Sequence, residues 1–250
     1  MDHMDQIIYR QIPPHEALSP YIDAFWTVTG DNEYSLPDKI LPDGCVDIIL
    51  NSGPAFTTEQ GTFQMDCGRA YLIGTMTRYK EMIRPPGTRL TGVRFKPGGF
   101  GFFYDPSLLK DIADKTVEFD KKFVPDMDRE LSDLPAILNR WFGDRLSRPP
   151  QQTLTITQDI ARLNGRITVD ELSRRHFTPI RQLERLFSLH LGISPKEFIS
   201  FTRCQSAITT IRGGHTRKSL LDIACECGYY DHAHLSNEIR RYTGSSPSGV

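Results

Sequence analysis

The chain predicts an α+β protein: a β-rich N-terminal barrel or sandwich with some helices, then a C-terminal all-α double helix-turn-helix. Three observations predict it. One pattern is written twice in the last third, strand-like segments separated by Gly/Pro turns fill the first half, and a polar stretch with a proline pair lies between the two textures.

The N-terminal elements follow in order. Tyr21 to Thr29 (YIDAFWTVT) is rich in aromatic and β-branched residues, and Val46 to Leu50 (VDIIL) is a short buried strand behind the turn Pro42-Asp43-Gly44. Tyr71 to Thr77 and Leu90 to Phe95 continue the pattern on either side of Pro85-Pro86-Gly87, and Pro97-Gly98-Gly99 ends it. Short strands with such turns imply an antiparallel barrel or sandwich. From Pro106 the texture turns helical, with Leu108, Leu109 and Ile112 on one face; Ile137, Leu138, Trp141 and Phe142 then mark a helix between Leu134 and Leu146. Ser147-Arg148-Pro149-Pro150-Gln151-Gln152 is polar, with a proline pair that forbids helix and favours an extended spacer, so it reads as a linker. The expected division is a domain over 1–146, a linker over 147–152, and a helical domain over 153–250.

In that last domain, Val169 to Pro195 and Leu220 to Pro247 carry the same pattern at an offset of 51 positions, then 52. Leu172-Ser173 matches Ile223-Ala224, Leu183 matches Leu235, Phe187 matches Ile239, and Gly192 with Ser194-Pro195 matches Gly244 with Ser246-Pro247. Each copy reads as a short helix, a tight turn, a second helix, a Gly stop and a Ser-Pro restart, which places helix-turn-helix units at about 168–191 and 219–243. In the first unit Thr178 is expected to cap the second helix, with Pro179 at its first position; in the second unit Asp231 does the capping. Leu183, Leu186 and Phe187 form one buried stripe, and Leu235, Ile239 and Tyr242 the other. The helix from Ser194-Pro195 through Ile211 joins the units and sets their separation, before Arg212-Gly213-Gly214 breaks it.

The faces left outward carry the candidate binding residues. On the first unit they are Arg181, Gln182, Glu184, Arg185 and Ser188; on the second they are His232, His234, Asn237, Arg240 and Arg241. Arg and Gln can read base edges bidentately and Asn suits adenine, whereas Arg240 and Arg241, further along their helix, suit phosphate. Two such helices can enter successive major grooves if spaced by one turn of duplex, about 34 Å. Charge agrees in sign: residues 166–250 hold twelve Lys/Arg against eight Asp/Glu, whereas residues 1–165 hold eighteen against twenty-three.

Several spaced motifs resemble one family. Ala224, Gly228-Tyr229, His232-Ala233-His234-Leu235, Ile239 and Gly244-Ser245-Ser246-Pro247 are similar to the C-terminal signature of the AraC/XylS bacterial transcription regulators, and Leu183 to Phe187 with Gly192 to Pro195 to that of their first unit. Leu235 and Ile239 stand where the family usually has phenylalanine. The resemblance implies a sequence-specific DNA-binding regulator. Its partners would be double-stranded operator DNA, a small-molecule effector and, for an activator, RNA polymerase; a homodimer stays open, because two reading units already share one chain. Leu18 to Tyr21, Leu41 to Cys45, and Gly92 to Gly99 resemble a sensor-like domain found ahead of AraC-type modules, which implies a cupin-like β-domain for effector sensing or dimerisation.

Bulk properties exclude other classes. The chain has 250 residues, 38% hydrophobic and 24% charged, and no apolar run approaches the length of a membrane span. The acidic start MDHMDQIIYRQ is no secretory signal, so a cytoplasmic protein is expected. The five cysteines show no paired spacing and read as reduced thiols. No cofactor, metal or catalytic residue is expected: His232 and His234 sit two apart on a helix and do not face one site, and the N-terminal half has only His3 and His15. Asp43, Cys45 and Asp47 lie together, which leaves a rival reading as a DNA-modifying or repair protein with a reactive Cys45; turn formation and space filling explain the same residues more simply. Arg94, with Tyr79 and Arg78 nearby, either lines an effector pocket or pairs with an internal carboxylate.

Overall fold

The computed structural model describes residues 7–30, 36–58, 61–147, 152–213 and 218–250. Among the described residues, ten strands precede seven α-helices. They are β1 (Ile7–Ile12), β2 (Ile22–Gly30), β3 (Leu36–Ile40), β4 (Val46–Asn51), β5 (Phe56–Thr58), β6 (Phe63–Met65), β7 (Arg69–Ile73), β8 (Lys80–Arg84), β9 (Arg89–Phe95) and β10 (Thr116–Phe119), then α1 (Leu134–Arg145), α2 (Gln152–Arg162), α3 (Val169–Arg175), α4 (Ile180–Leu191), α5 (Pro195–Arg212), α6 (Leu220–Glu226) and α7 (His232–Thr243). The α+β expectation holds. The order of textures is also as read, strands first and helices after.

Six strands form one antiparallel sheet in the order β1-β2-β9-β4-β7-β10; β3 pairs with β8 and β5 with β6 as separate ribbons. The sheet ends on β1 and β10 and does not close into a barrel. Alternation along the strands gives it two buried faces. Phe25, Ile48 and Val93 share a register row and join Phe95, Leu72, Leu138 and Phe142 in a core that α1 covers. The next row, Trp26, Gly92, Ile49 and Tyr71, points to the other side, where Trp26 and Tyr71 share a smaller core with Phe56 and Met65 of the β5–β6 ribbon.

Three expectations are corrected. The segment from Pro106 forms only a 3₁₀ turn, Pro106–Leu109, before β10, because Asp105 caps the turn and Leu109 is drawn into the sheet core. The strand expected from Tyr71 to Thr77 ends at Ile73, because Gly74 sits against the Ile112 backbone, where a Cβ would lie 1.9 Å from its carbonyl oxygen. Thr178 does not cap α4. It is buried, donates to the His176 carbonyl at 2.8 Å and accepts from Gln152 Nε2 at 2.8 Å, so Pro179 takes the cap position. Of the expected linker, residues 148–151 lie outside the described residues, and α2 begins at Gln152.

Candidate nucleic-acid interface

The duplicated pattern folds as a duplicated structure. Thr168 and Ser219 each close a capping box, with Glu171 and Asp222 three residues on, and so start α3 and α6 at matching points. The second helices, α4 and α7, are twelve residues each and stop at Gly192 (φ 74°) and Gly244 (φ 70°), where left-handed backbone favours glycine. Asp231 caps α7 by accepting from the His234 amide at 2.7 Å, and Ser194 caps α5 by accepting from the Glu197 amide at 3.1 Å. Leu172, Leu183, Phe187, Leu191, Ile223, Leu235, Ile239 and Tyr242 share one core with Phe198, Phe201, Ala207 and Ile208 of α5. The strut α5 touches α2, α4, α6 and α7, and its eighteen residues at 1.5 Å each span about 27 Å.

With those faces buried, the opposite ones are free. Arg181, Glu184 and Arg185 of α4 are exposed, and Gln182 is half-buried; His232, His234, Asn237 and Arg240 of α7 are exposed. The first turns of α4 and α7 hold no acidic residue, which leaves the positive end of α4 open to an anion. Arg241, though exposed, is engaged: it pairs with Glu197 of α5 and approaches Glu238 at 3.8 Å, tying α7 to the strut. Two aromatics in the turns were not foreseen. Phe177 (95% exposed, φ 49°) and Tyr230 (91% exposed) stand just ahead of α4 and α7, almost wholly in solvent. Their signal in the sequence was an aromatic within a turn otherwise built for Gly or Asp.

A buried anchor sets the first unit. Asp159 of α2 pairs with Arg162, with Arg175 at 2.5 Å and with His176 at 3.2 Å. Burial alone would raise its pKa; the hydrogen bonds from Arg162 and His176 and the charge of Arg175 outweigh that and hold it below the ordinary value. The carboxylate therefore stays ionised and pins the turn after α3.

The β-rich part grips both second helices at their C-terminal stops. Thr75 Oγ1 donates to the Leu191 carbonyl at 2.7 Å, and a Cβ on Gly192 would lie 2.6 Å from the Leu109 carbonyl oxygen. At the other stop, a Cβ on Gly244 would lie 2.4 Å from Tyr79 Cζ. Tyr79 is thus a docking residue, with Lys39 4.4 Å above its ring, and it does not line the cavity described next.

That cavity, about 1010 Å³, lies between the second face of the large sheet and α5. Trp26, Ile49, Leu90 and Met82 line it from the strands, Phe201, Gln205 and Ile208 from α5. Arg94 lines it too and pairs with carboxylates: its Nε lies 3.2 Å from Asp43 Oδ2 and 3.3 Å from Asp47 Oδ1. Asp47 also accepts from Trp26 Nε1 at 2.7 Å, yet desolvation lifts its pKa to about 6 against the pull of Arg94. Cys45 is pushed well above the ordinary thiol value, by burial first and then by Asp43 and Asp47. A nucleophilic cysteine needs the opposite environment.

Comparison with known proteins gives the twin units a family. Residues 172–250 match the family described as a helix-turn-helix domain. The C-terminal domain belongs to the AraC-type helix-turn-helix family. Residues 10–118 match a domain of unknown function, DUF6597. An uncharacterized HTH-type transcriptional regulator of Haemophilus influenzae is 38% identical over 64 residues, 26% of this chain and 21% of its own length. The HTH-type transcriptional regulator ArgR of Pseudomonas aeruginosa is 28% identical over 101 residues, 40% and 30% respectively. The chain thus spans about a fifth to a third of these relatives. Among solved structures, ToxT of Vibrio cholerae aligns over 90% of this chain and 97% of its own at 9% identity and a TM-score of 0.48. No helix of the described residues is long and apolar enough to cross a membrane.

Proposed function

We propose that the chain is a sequence-specific DNA-binding transcription regulator whose AraC-type domain reads operator DNA and whose β-rich domain takes a small-molecule effector. The observation that carries this reading is the pair of equivalent helices, α4 and α7, each with a buried apolar face and an outward polar one, joined by a rigid strut. Phosphate contacts supply most of the affinity; Arg181, Gln182, Glu184, Arg185, His232, His234 and Asn237 read base edges, and Arg240 holds backbone. Arg241 joins the phosphate contacts only by giving up Glu197. Tyr79 and Arg94 affect effector response by different routes, the first through docking and the second inside the cavity. RNA polymerase contact and dimerisation belong to the same proposal and follow if the protein activates from a paired site.

Selection of bound duplexes from a random pool tests it. The expected product is a motif with two conserved segments and an affinity that falls steeply with salt. Recovery of a pool without enrichment contradicts sequence-specific reading.

The rival, chemistry at Cys45, has the thiol environment against it. Incubation with alkylated duplex should leave the mass of Cys45 unchanged.

A further inference from the structure

The cavity has more specific chemistry than its size suggests. At one wall two carboxylates, Asp43 and Asp47, share a single guanidinium nitrogen: Arg94 Nε is 3.2 Å from the first, and 3.3 and 3.4 Å from the two oxygens of the second. Among the described residues Asp43 accepts one further hydrogen bond, from the Cys45 amide at 2.9 Å, and Asp47 that of Trp26. Each carboxylate can accept about four. The cluster therefore carries one negative charge in excess and has acceptor capacity left.

The wall beside it is aromatic. Trp26 packs against Gly92, where a Cβ would sit 2.1 Å from the indole, and lines the cavity. Tyr9 lies 6.0 Å from it, centroid to centroid, and also lines the space. The lining also holds other basic residues, among them Arg84, whose buried Nη1 has no hydrogen-bond partner among the described residues. Lys39 pairs with Glu81 and sits over Tyr79, Lys80 and Arg84 each have interactions of their own, and Arg212 is exposed at the end of α5. A separate observation also points to a ligand. Thr58 lines the cavity, is 3% exposed, and its hydroxyl has no hydrogen-bond partner among the described residues.

We propose that this cavity binds an organic cation, a protonated amine or quaternary ammonium on an apolar body, with its head held by Asp43 and Asp47 against the Trp26–Tyr9 aromatic wall. A desolvated carboxylate pair and an indole face both attract a cation, and the apolar lining takes the body. The inference rests on the effector-responsive reading above and names the chemistry of that same site. It also sets a pH dependence. The charged and titratable groups around Asp47 are Arg94 from β9 and Asp43 and Cys45 from the turn before β4, and Trp26 of β2 donates a hydrogen bond to it; Gln205 of α5 donates to the Pro42 carbonyl at 3.3 Å. A cation favours ionised Asp47, so affinity rises with pH through about 6 and levels off above.

Calorimetric titration of the full chain with benzyltrimethylammonium, which does not titrate, tests this against benzyl alcohol and phenylacetate. The expected result is saturable binding of the cation, roughly tenfold weaker in Asp47→Asn and in Asp43→Asn, with both uncharged and anionic probes weaker still. Asp43 sits on the half-buried turn, so Asp43→Asn serves where Asp47→Asn fails to fold. Wild type should gain affinity between pH 5 and 7, and Asp47→Asn should not. Tighter binding of phenylacetate, binding of the cation by both variants as tight as by wild type, or no cation binding overturns the inference. Duplex binding, measured on the same samples, separates this failure from that of the regulator reading: intact duplex binding with an anion in the cavity sinks only the cation.

Discussion

Substituting Gly244 by alanine perturbs the grip of the β-rich domain on α7 at one point. Two costs add. The residue has φ 70°, and an L side chain in that region costs about 1–2 kcal/mol. The new Cβ would also meet Tyr79 at 2.4 Å, over 1 Å inside ordinary contact, and overpacking of this kind costs about 1–3 kcal/mol. Gly228→Ala is the control: its φ is 79°, but the nearest atom to a Cβ is Arg166 Cγ at 3.8 Å, so only the backbone cost applies. Urea unfolding of the full chain, with amide exchange at Tyr242 and Thr243 as the local measure, should rank Gly244→Ala below Gly228→Ala by about 1–3 kcal/mol. Tyr79→Ala should then rescue Gly244→Ala and leave Gly228→Ala unrescued. A double-mutant coupling between positions 79 and 244 within about 0.5 kcal/mol of zero would refute the docking argument.

The remaining predictions concern the AraC-type domain and the thiols. Arg181→Ala should cost about 1–3 kcal/mol of specific binding and relax one base position, whereas Arg240→Ala should weaken all duplexes alike and lower the salt slope by about 1; titrations over a salt series distinguish the two. Asp159→Asn should destabilise the first unit by about 1–3 kcal/mol, a figure held down because Arg162 and Arg175 are largely solvated. The folded pKa of Asp159 lies below its ordinary 3.8, so this contribution is present above 3.8 and is lost as pH falls through the folded value; wild type should lose it on acidification and Asp159→Asn should not. Timed thiol labelling should modify the exposed Cys67 and Cys225 first, with Cys45, Cys204 and Cys227 following only on unfolding. Fast labelling at Cys45 would reopen chemistry there.

Features with local causes were legible in the sequence. Gly192 and Gly244, the Ser194-Pro195 start of α5 and the Asp231 cap depend on chemistry within a few residues, and all are found where expected. Thr178 reads as a cap by the same local rule, but Gln152, 26 positions earlier, accommodates it in the interior instead. The strands β3 and β8 pair across some forty residues, and β10 reaches the sheet only through a turn whose leucines mimic a helix. Neither pairing leaves a periodic trace. Arg94 could be assigned to a pocket or a carboxylate from its strand position; only the register, which sets Asp47 beside it, shows the carboxylate pairing. Tyr79 was placed near Arg94 by sequence distance, whereas its contact is with Gly244 in the other domain.

The central claim is that α4 and α7 enter two successive major grooves on one side of a duplex. Hydroxyl-radical footprinting of a selected site, with wild type, Arg181→Ala and Asn237→Ala compared, addresses it directly. Two protected segments about 10 base pairs apart are expected, one weakened by each variant. A single protected segment, or equal loss of both in either variant, would contradict it.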